Sequence, residues 1–172
     1  MKIIVIVDMQ KDFISKALKN DEAEAMIPRM QEVLTDMNSS DNIVLFTKDT
    51  HYDDYMNTQE GKYLPVPHCI RGSEGWQIRP ELAALLEGAQ IYEKPTFGST
   101  QLAADLKAAA EKEEIELELI GLCTDICVVS NALLLKAAMP SNMRQNAYPC
   151  SLQTAGNNSD SSMRSFSPPK PL

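Results

Sequence analysis

Apolar residues in this chain fall in short continuous runs separated by stretches of helical spacing. The first run, KIIVIVD at 2–8, has strand length and no alternation, as a parallel strand buried on both faces requires. Residues 21–38 follow with Met26, Met30, Val33, Leu34 and Met37 at helical spacing. Pro28 falls in this stretch, a position tolerable only near the first turn of a helix. NIVLFTKD (42–49) predicts a second buried strand. The segment 50–78 has little periodicity and several Gly and Pro, the pattern of a functional loop. PELAALLEG (80–88) has Pro at a helix start and Gly at its end. A short strand at 91–94, a helix over 99–112, a strand at 115–122 and a helix over 126–139 complete the series. Alternating strands and helices predict an α/β fold with a parallel sheet and right-handed crossovers.

In such sheets ligands bind beyond the carboxyl ends of the strands, and that rule selects residues. Asp8 ends the first strand, Asp49 and His51 follow the second, Lys94 ends the third, and Cys123 to Cys127 follow the fourth. Cys127 sits where a strand turns into a helix that Thr124 or Asp125 can cap, so the helix dipole is expected to lower its thiol pKa. With Asp8 as base and Lys94 as cation, Cys127 has the partners of an activated nucleophile. Backbone N–H groups at Cys123 and Cys127 can face a developing oxyanion. From spacing alone, a buried, purely structural Cys127 is an equally good reading. A structural zinc pair lacks its partner cysteines, and the Cys-x-x-Cys of a redox pair is absent.

The two histidines of the chain, His51 and His68, lie in the same loop region as Asp49. Two imidazoles and a carboxylate favour a three-ligand metal site over surface residues, and suit zinc, iron or manganese. Gln10, Glu93 and Ser99 lie beside these motifs and read as supporting or solvent-facing residues.

Composition narrows the function. The chain has 172 residues, 44% hydrophobic and 23% charged, enough for one domain with a substantial core. A net charge of -8 disfavours binding to nucleic acid or to an anionic membrane. No apolar run approaches the ~20 residues of a membrane span. The N-terminus reads as a mature strand, because Asp8 breaks its apolar run and no cleavage pattern follows. Four cysteines without export signals point to a reduced, cytoplasmic setting.

The stretches VDMQKDF (7–13), TKDTH (47–51), PHC (67–69), KPTFGS (94–99) and GLCTDICV (121–128) together resemble the isochorismatase-like cysteine hydrolases, of which nicotinamidases are the best known. The resemblance spans about residues 1–140. It implies a Rossmann-like three-layer α/β/α fold, a catalytic triad of Asp8, Lys94 and Cys127, and metal ligands at Asp49, His51 and His68. It also implies a non-proline cis peptide between Leu122 and Cys123 that aims the oxyanion N–H groups, and a Phe13 ring that packs on substrate. The implied reaction cleaves the C–N bond of a small amide through a thioester on Cys127, in a protein that often forms homo-oligomers.

Two departures stand out. The segment KYLPVPHC has Pro65 and Val66 where nicotinamidases carry an aromatic, with Tyr63 displaced. Residues 141–172 are rich in Ser, Asn and Pro without apolar periodicity, the composition of a poorly ordered tail. The fold is therefore expected to lack its last strand and helix, leaving the fourth strand an exposed edge. An inactive truncated remnant, or a relative that only binds metal and ligand, is the alternative to an active amidase.

Overall fold

A computed structural model describes residues 1–38, 42–85, 88–139 and 144–147. In chain order the elements are β1 (Lys2–Val7), α1 (Lys11–Ile14), α2 (Asp21–Asn38), β2 (Ile43–Asp49), α3 (Gln59–Tyr63), α4 (Pro80–Ala83), β3 (Gln90–Lys94), α5 (Thr100–Ala110), β4 (Glu116–Gly121), α6 (Val129–Ala138) and β5 (Arg144–Ala147). The strands form one parallel sheet in the order β3-β2-β1-β4-β5. This is the α/β architecture expected from the apolar runs.

The continuous apolar sequence of β1 has a direct structural reading. Ile3, Val5 and Val7 point into a core shared with α5 and α6, through residues such as Leu102, Leu106 and Leu135. Ile4 and Ile6 point the other way, onto Met26, Ile27, Met30 and Leu34 of α2. Side chains alternate across a strand, so a strand covered on both faces needs apolar residues at every position. The result is three layers, helix on sheet on helix.

Several sequence expectations change. Pro28 lies well inside α2 rather than in its first turn. Its side chain is exposed, and it removes one backbone donor from the helix. The helix expected over 80–88 is regular only across Pro80–Ala83. The loop 50–78 contains α3 and a 3₁₀ turn, Tyr55–Asn57. Arg144–Ala147 pairs with Glu116–Leu119, so the edge of β4 expected to be exposed carries a further parallel strand. RQNA has no apolar pattern; its strand is defined by the backbone ladder. The rest of the expected tail, 148–172, and any closing helix there lie outside the described residues. No helix among the described residues is long and apolar enough to cross a membrane.

Gly121 closes β4 beside Val7 of β1, with φ +131°, and a Cβ there would collide with the Val7 backbone. Both the positive φ and the close approach require glycine. Gly121→Ala is expected to destabilise the fold by at least about 2 kcal/mol, lowering Tm by ~4–8 °C in a thermal melt. An unchanged Tm would contradict this packing.

Candidate active site

The carboxyl ends of β1, β2, β3 and β4 bring their terminal residues to one cleft. Asp8 leaves β1 in a left-handed conformation, φ 51°, with a fully buried carboxylate. Its Oδ1 accepts a hydrogen bond from Thr47 Oγ1 at 2.6 Å. Its Oδ2 lies 2.6 Å from Lys94 Nζ, yet no donor is aligned on it as a hydrogen bond. Lys94, 1% exposed, also donates to Asp49 Oδ1 at 3.3 Å and to Cys127 Sγ at 3.6 Å. One ammonium thus touches a candidate base, a candidate metal ligand and a candidate nucleophile.

The electrostatics correct one expectation. Burial works against the Lys94 charge, but Asp8 and Asp49 outweigh it and hold its pKa above the ordinary value. Burial raises the Asp8 pKa. The Cys127 thiol was expected to be acidified by the helix start, but burial pushes it up and the Asp8 charge raises it further, against the pull of Lys94. Nor does Thr124 or Asp125 cap the turn: Cys123 occupies the cap position and no side chain bonds there. The turn itself, Thr124–Val128, is π-helical, with the Val128 N–H reaching the Cys123 carbonyl at 3.1 Å. Such wide turns recur at functional sites. The peptide bond Leu122–Cys123 is cis, as the resemblance implies.

Asp49, His51 and His68 are all buried, and one ligand atom from each lies within 4.8 Å of the others. His68 Nδ1 lies 2.9 Å from the Val66 carbonyl; donating there directs Nε2 into the cluster. His51 Nε2 is buried 3.0 Å from Asp49 Oδ2 and makes no hydrogen bond. A buried nitrogen left without a donor or acceptor costs free energy unless something binds it. This orphaned atom, together with the N,N,O donor set, fits a divalent metal ion. Burial tends to raise the Asp49 pKa, but His51, His68 and Lys94 outweigh it and keep the carboxylate ionised. Burial opposes a charge on His68, while Asp49 and the Val66 carbonyl outweigh it and raise its pKa.

Glu60 and Asn131 carry no clear signal in the sequence, and Gln10, read as supporting or solvent-facing, is a supporting residue. Glu60 brings Oε1 to 3.8 Å from His51 Nε2 and 3.7 Å from His68 Nε2, facing the same gap. Gln10 is fully buried, and its side chain clamps the Asp49 backbone: Oε1 accepts from the Asp49 N–H at 2.7 Å, and Nε2 donates to the Asp49 carbonyl at 2.8 Å. Asn131, also fully buried, accepts from the Ser99 N–H and donates to the carbonyls of Phe97 and Cys127, tying the loop after β3 to the Cys127 turn. The neighbouring residues read as supporting are so: Ser99 caps α5 through the Leu102 N–H, and Glu93 pairs with Arg71 at 2.9 Å.

Phe13, Cys123 and Cys127 line a cleft of about 720 Å³ together with Asp49, His51 and His68. Phe13 tilts against His68 with ring centroids 5.5 Å apart, and Tyr55 braces both imidazoles. The structure therefore brings together every residue that the sequence singled out for this edge.

A parallel α/β sheet with buried thiol, carboxylate and ammonium beside an Asp-His-His cluster defines an α/β protein of the enzyme type, with its cleft at the carboxyl edge. The chain belongs to the isochorismatase domain family, which matches residues 2–138. It is 28% identical over 141 residues to the isochorismatase family protein PncA of Bacillus subtilis (strain 168), covering 77% of this chain and 76% of that one. Among solved structures it is similar to the nicotinamidase PncA of Bacillus subtilis, at TM-score 0.70 and 25% identity, covering 86% of this chain and 83% of that one. It is also similar to the pyrazinamidase of Pyrococcus horikoshii in complex with zinc, at TM-score 0.65 and 25% identity, covering 80% of each chain.

The Gln10 clamp fixes the Asp49 main chain, and with it the carboxylate that faces both imidazoles. Supporting residues of this kind typically change metal affinity by ~10–100-fold. Gln10→Leu is expected to weaken Zn²⁺ binding by that factor in a chelator competition. Unchanged affinity would remove the clamp from the account of the site.

Proposed function

We propose that this protein is a cysteine hydrolase that cleaves the C–N bond of a small amide through a thioester intermediate. The observation that carries the reading is the Lys94 ammonium in contact with both Asp8 Oδ2 and Cys127 Sγ. A buried lysine needs a carboxylate to balance its charge, but it has no structural need for a thiol. As the cation of a proton-transfer pair it has one.

The raised thiol pKa shapes the mechanism. Cys127 rests as a thiol, so its proton must leave as the sulfur attacks. Asp8, which shares the Lys94 ammonium with Cys127, takes that proton. Burial raises the Asp8 pKa above the ordinary carboxylate value, which makes it a stronger base. Sulfur attacks the amide carbon, and the backbone N–H groups of Cys123 and Cys127 receive the charge that develops on oxygen. Asp8 returns the proton to the amide nitrogen, ammonia leaves, and a thioester remains on Cys127. Water, deprotonated by Asp8, then attacks the thioester carbon, and the acid product leaves as the thiol is restored. Lys94 keeps its charge throughout and offsets the negative charge that moves between Asp8 and sulfur.

A divalent ion, zinc or alternatively iron or manganese, held by Asp49, His51 and His68 with Glu60 facing it, would supply a Lewis-acidic anchor for a substrate heteroatom. Phe13 would pack against the substrate it orients. The Bacillus subtilis and Pyrococcus horikoshii structures carry nicotinamidase and pyrazinamidase in their names, which supports a primary amide on a heteroaromatic ring. The inactive-remnant reading rests on a missing last strand and closing helix; β5 pairs along the β4 edge, while any closing helix lies outside the described residues and Leu133 of α6 is exposed.

The test is ammonia release from nicotinamide by Zn²⁺-supplemented protein. Cys127→Ala is expected to abolish it, and Asp8→Asn to reduce it by ~10²–10⁴-fold, with both variants still melting cooperatively. Release that persists in Cys127→Ala would overturn the assignment.

A further inference from the structure

The cleft is chemically divided. Its acidic and imidazole groups, Asp49, His51, Glu60 and His68, are gathered at the metal-type cluster. Among the described residues that line it, none is Lys or Arg. The wall also includes four large apolar side chains that remain in water: Tyr63 at 83%, Phe97 at 45%, Ile126 at 41% and Leu64 at 36% exposed.

Single exposed apolar residues are ordinary, but several in one cleft mark a binding surface. These four come from separate parts of the chain: the end of α3, the loop after β3 and the π-helical turn beside Cys127. The volume, about 720 Å³, lies in the ~300–1,000 Å³ range that encloses a drug-sized ligand. A single six-membered ring leaves much of it unused.

Resting on the amidase reading above, we infer that the preferred substrate is a neutral primary amide whose acyl group carries an apolar extension lying on Tyr63, Leu64, Phe97 and Ile126. The occupant is the substrate because the surface lines the same cleft as Cys127. An acyl group ending in a carboxylate is selected against. Carried on that extension, the carboxylate would lie against Tyr63, Leu64, Phe97 and Ile126, where no Lys or Arg lines the wall, and would give up its hydration for no ion pair.

The experiment compares kcat/KM for unbranched primary amides of four to ten carbons, their ω-carboxylate counterparts, and nicotinamide as reference, all with Zn²⁺ present. Each added methylene that reaches the apolar wall is expected to raise kcat/KM roughly threefold to fourfold, chiefly through KM. The ω-carboxylates are expected to lose that gain. Tyr63→Ser combined with Phe97→Ser is expected to flatten the dependence on chain length, with Tm unchanged because both side chains are exposed. A flat length dependence in the native protein, with nicotinamide still hydrolysed through Cys127, would overturn this inference and leave the amidase reading standing. Failure to hydrolyse any amide would overturn both. Sedimentation provides the last control. A change of oligomeric state in the double variant, with the length dependence intact, would assign the apolar surface to a second copy of the chain and overturn the inference.

Discussion

The ammonium of Lys94 is buried against two carboxylates and a thiol, and the chemistry of the site is organised around it. Asp8 and Asp49 are themselves almost wholly withdrawn from water. Two buried carboxylates so placed raise each other's pKa and cost free energy unless a cation stands between them. Lys94 fills that place. With His51 and His68 it keeps Asp49 ionised, and it pairs with Asp8 Oδ2 at 2.6 Å. The two halves of the site, the Cys127 thiol with Asp8 and the donor cluster at Asp49, therefore share one charge balance. Removing the cation would leave two uncompensated buried acids, a change that strongly destabilises.

The parallel sheet makes this possible. Residues 8, 49, 94 and 127 are far apart in sequence, yet the order β3-β2-β1-β4 sets their strands side by side and pointing one way. Each strand then delivers one functional group at its carboxyl end. Gly121 lets β4 finish hard against Val7, so the Cys127 turn starts beside Asp8. Gln10 and Asn131 do the local fixing: one holds the Asp49 main chain, the other joins the Cys127 turn to the loop after β3.

Much of this was legible in the sequence because burial on both faces forces continuous apolar runs, which gave β1, β2 and β4 and the helix spacing of α2. Strand ends then pointed to Asp8, Asp49, Lys94 and Cys127, and the resemblance supplied the cis peptide at Leu122–Cys123. What stayed hidden has physical causes. β5 carries no apolar pattern, since an edge strand can be set by its backbone ladder alone. Glu60 lies in a stretch of sequence without periodicity, on the short helix α3, so nothing links it to the histidines until the chain is folded. Asn131 is a polar residue of ordinary type, and only its burial marks it as an anchor; Gln10, beside a motif, reads in the sequence as supporting or solvent-facing, and its burial decides between the two. The sign of the Cys127 shift differs from the expectation because burial and the Asp8 charge outweigh the pull of Lys94.

The account's central claim is that a covalent bond forms between the substrate acyl group and Cys127. Acid quenching during turnover of nicotinamide, followed by peptide mapping by mass spectrometry, tests it most directly. The account predicts an acyl adduct on the peptide containing Cys127, lost when hydroxylamine cleaves the thioester. Steady turnover with no adduct on Cys127, under quench conditions that preserve a model thioester, would contradict it.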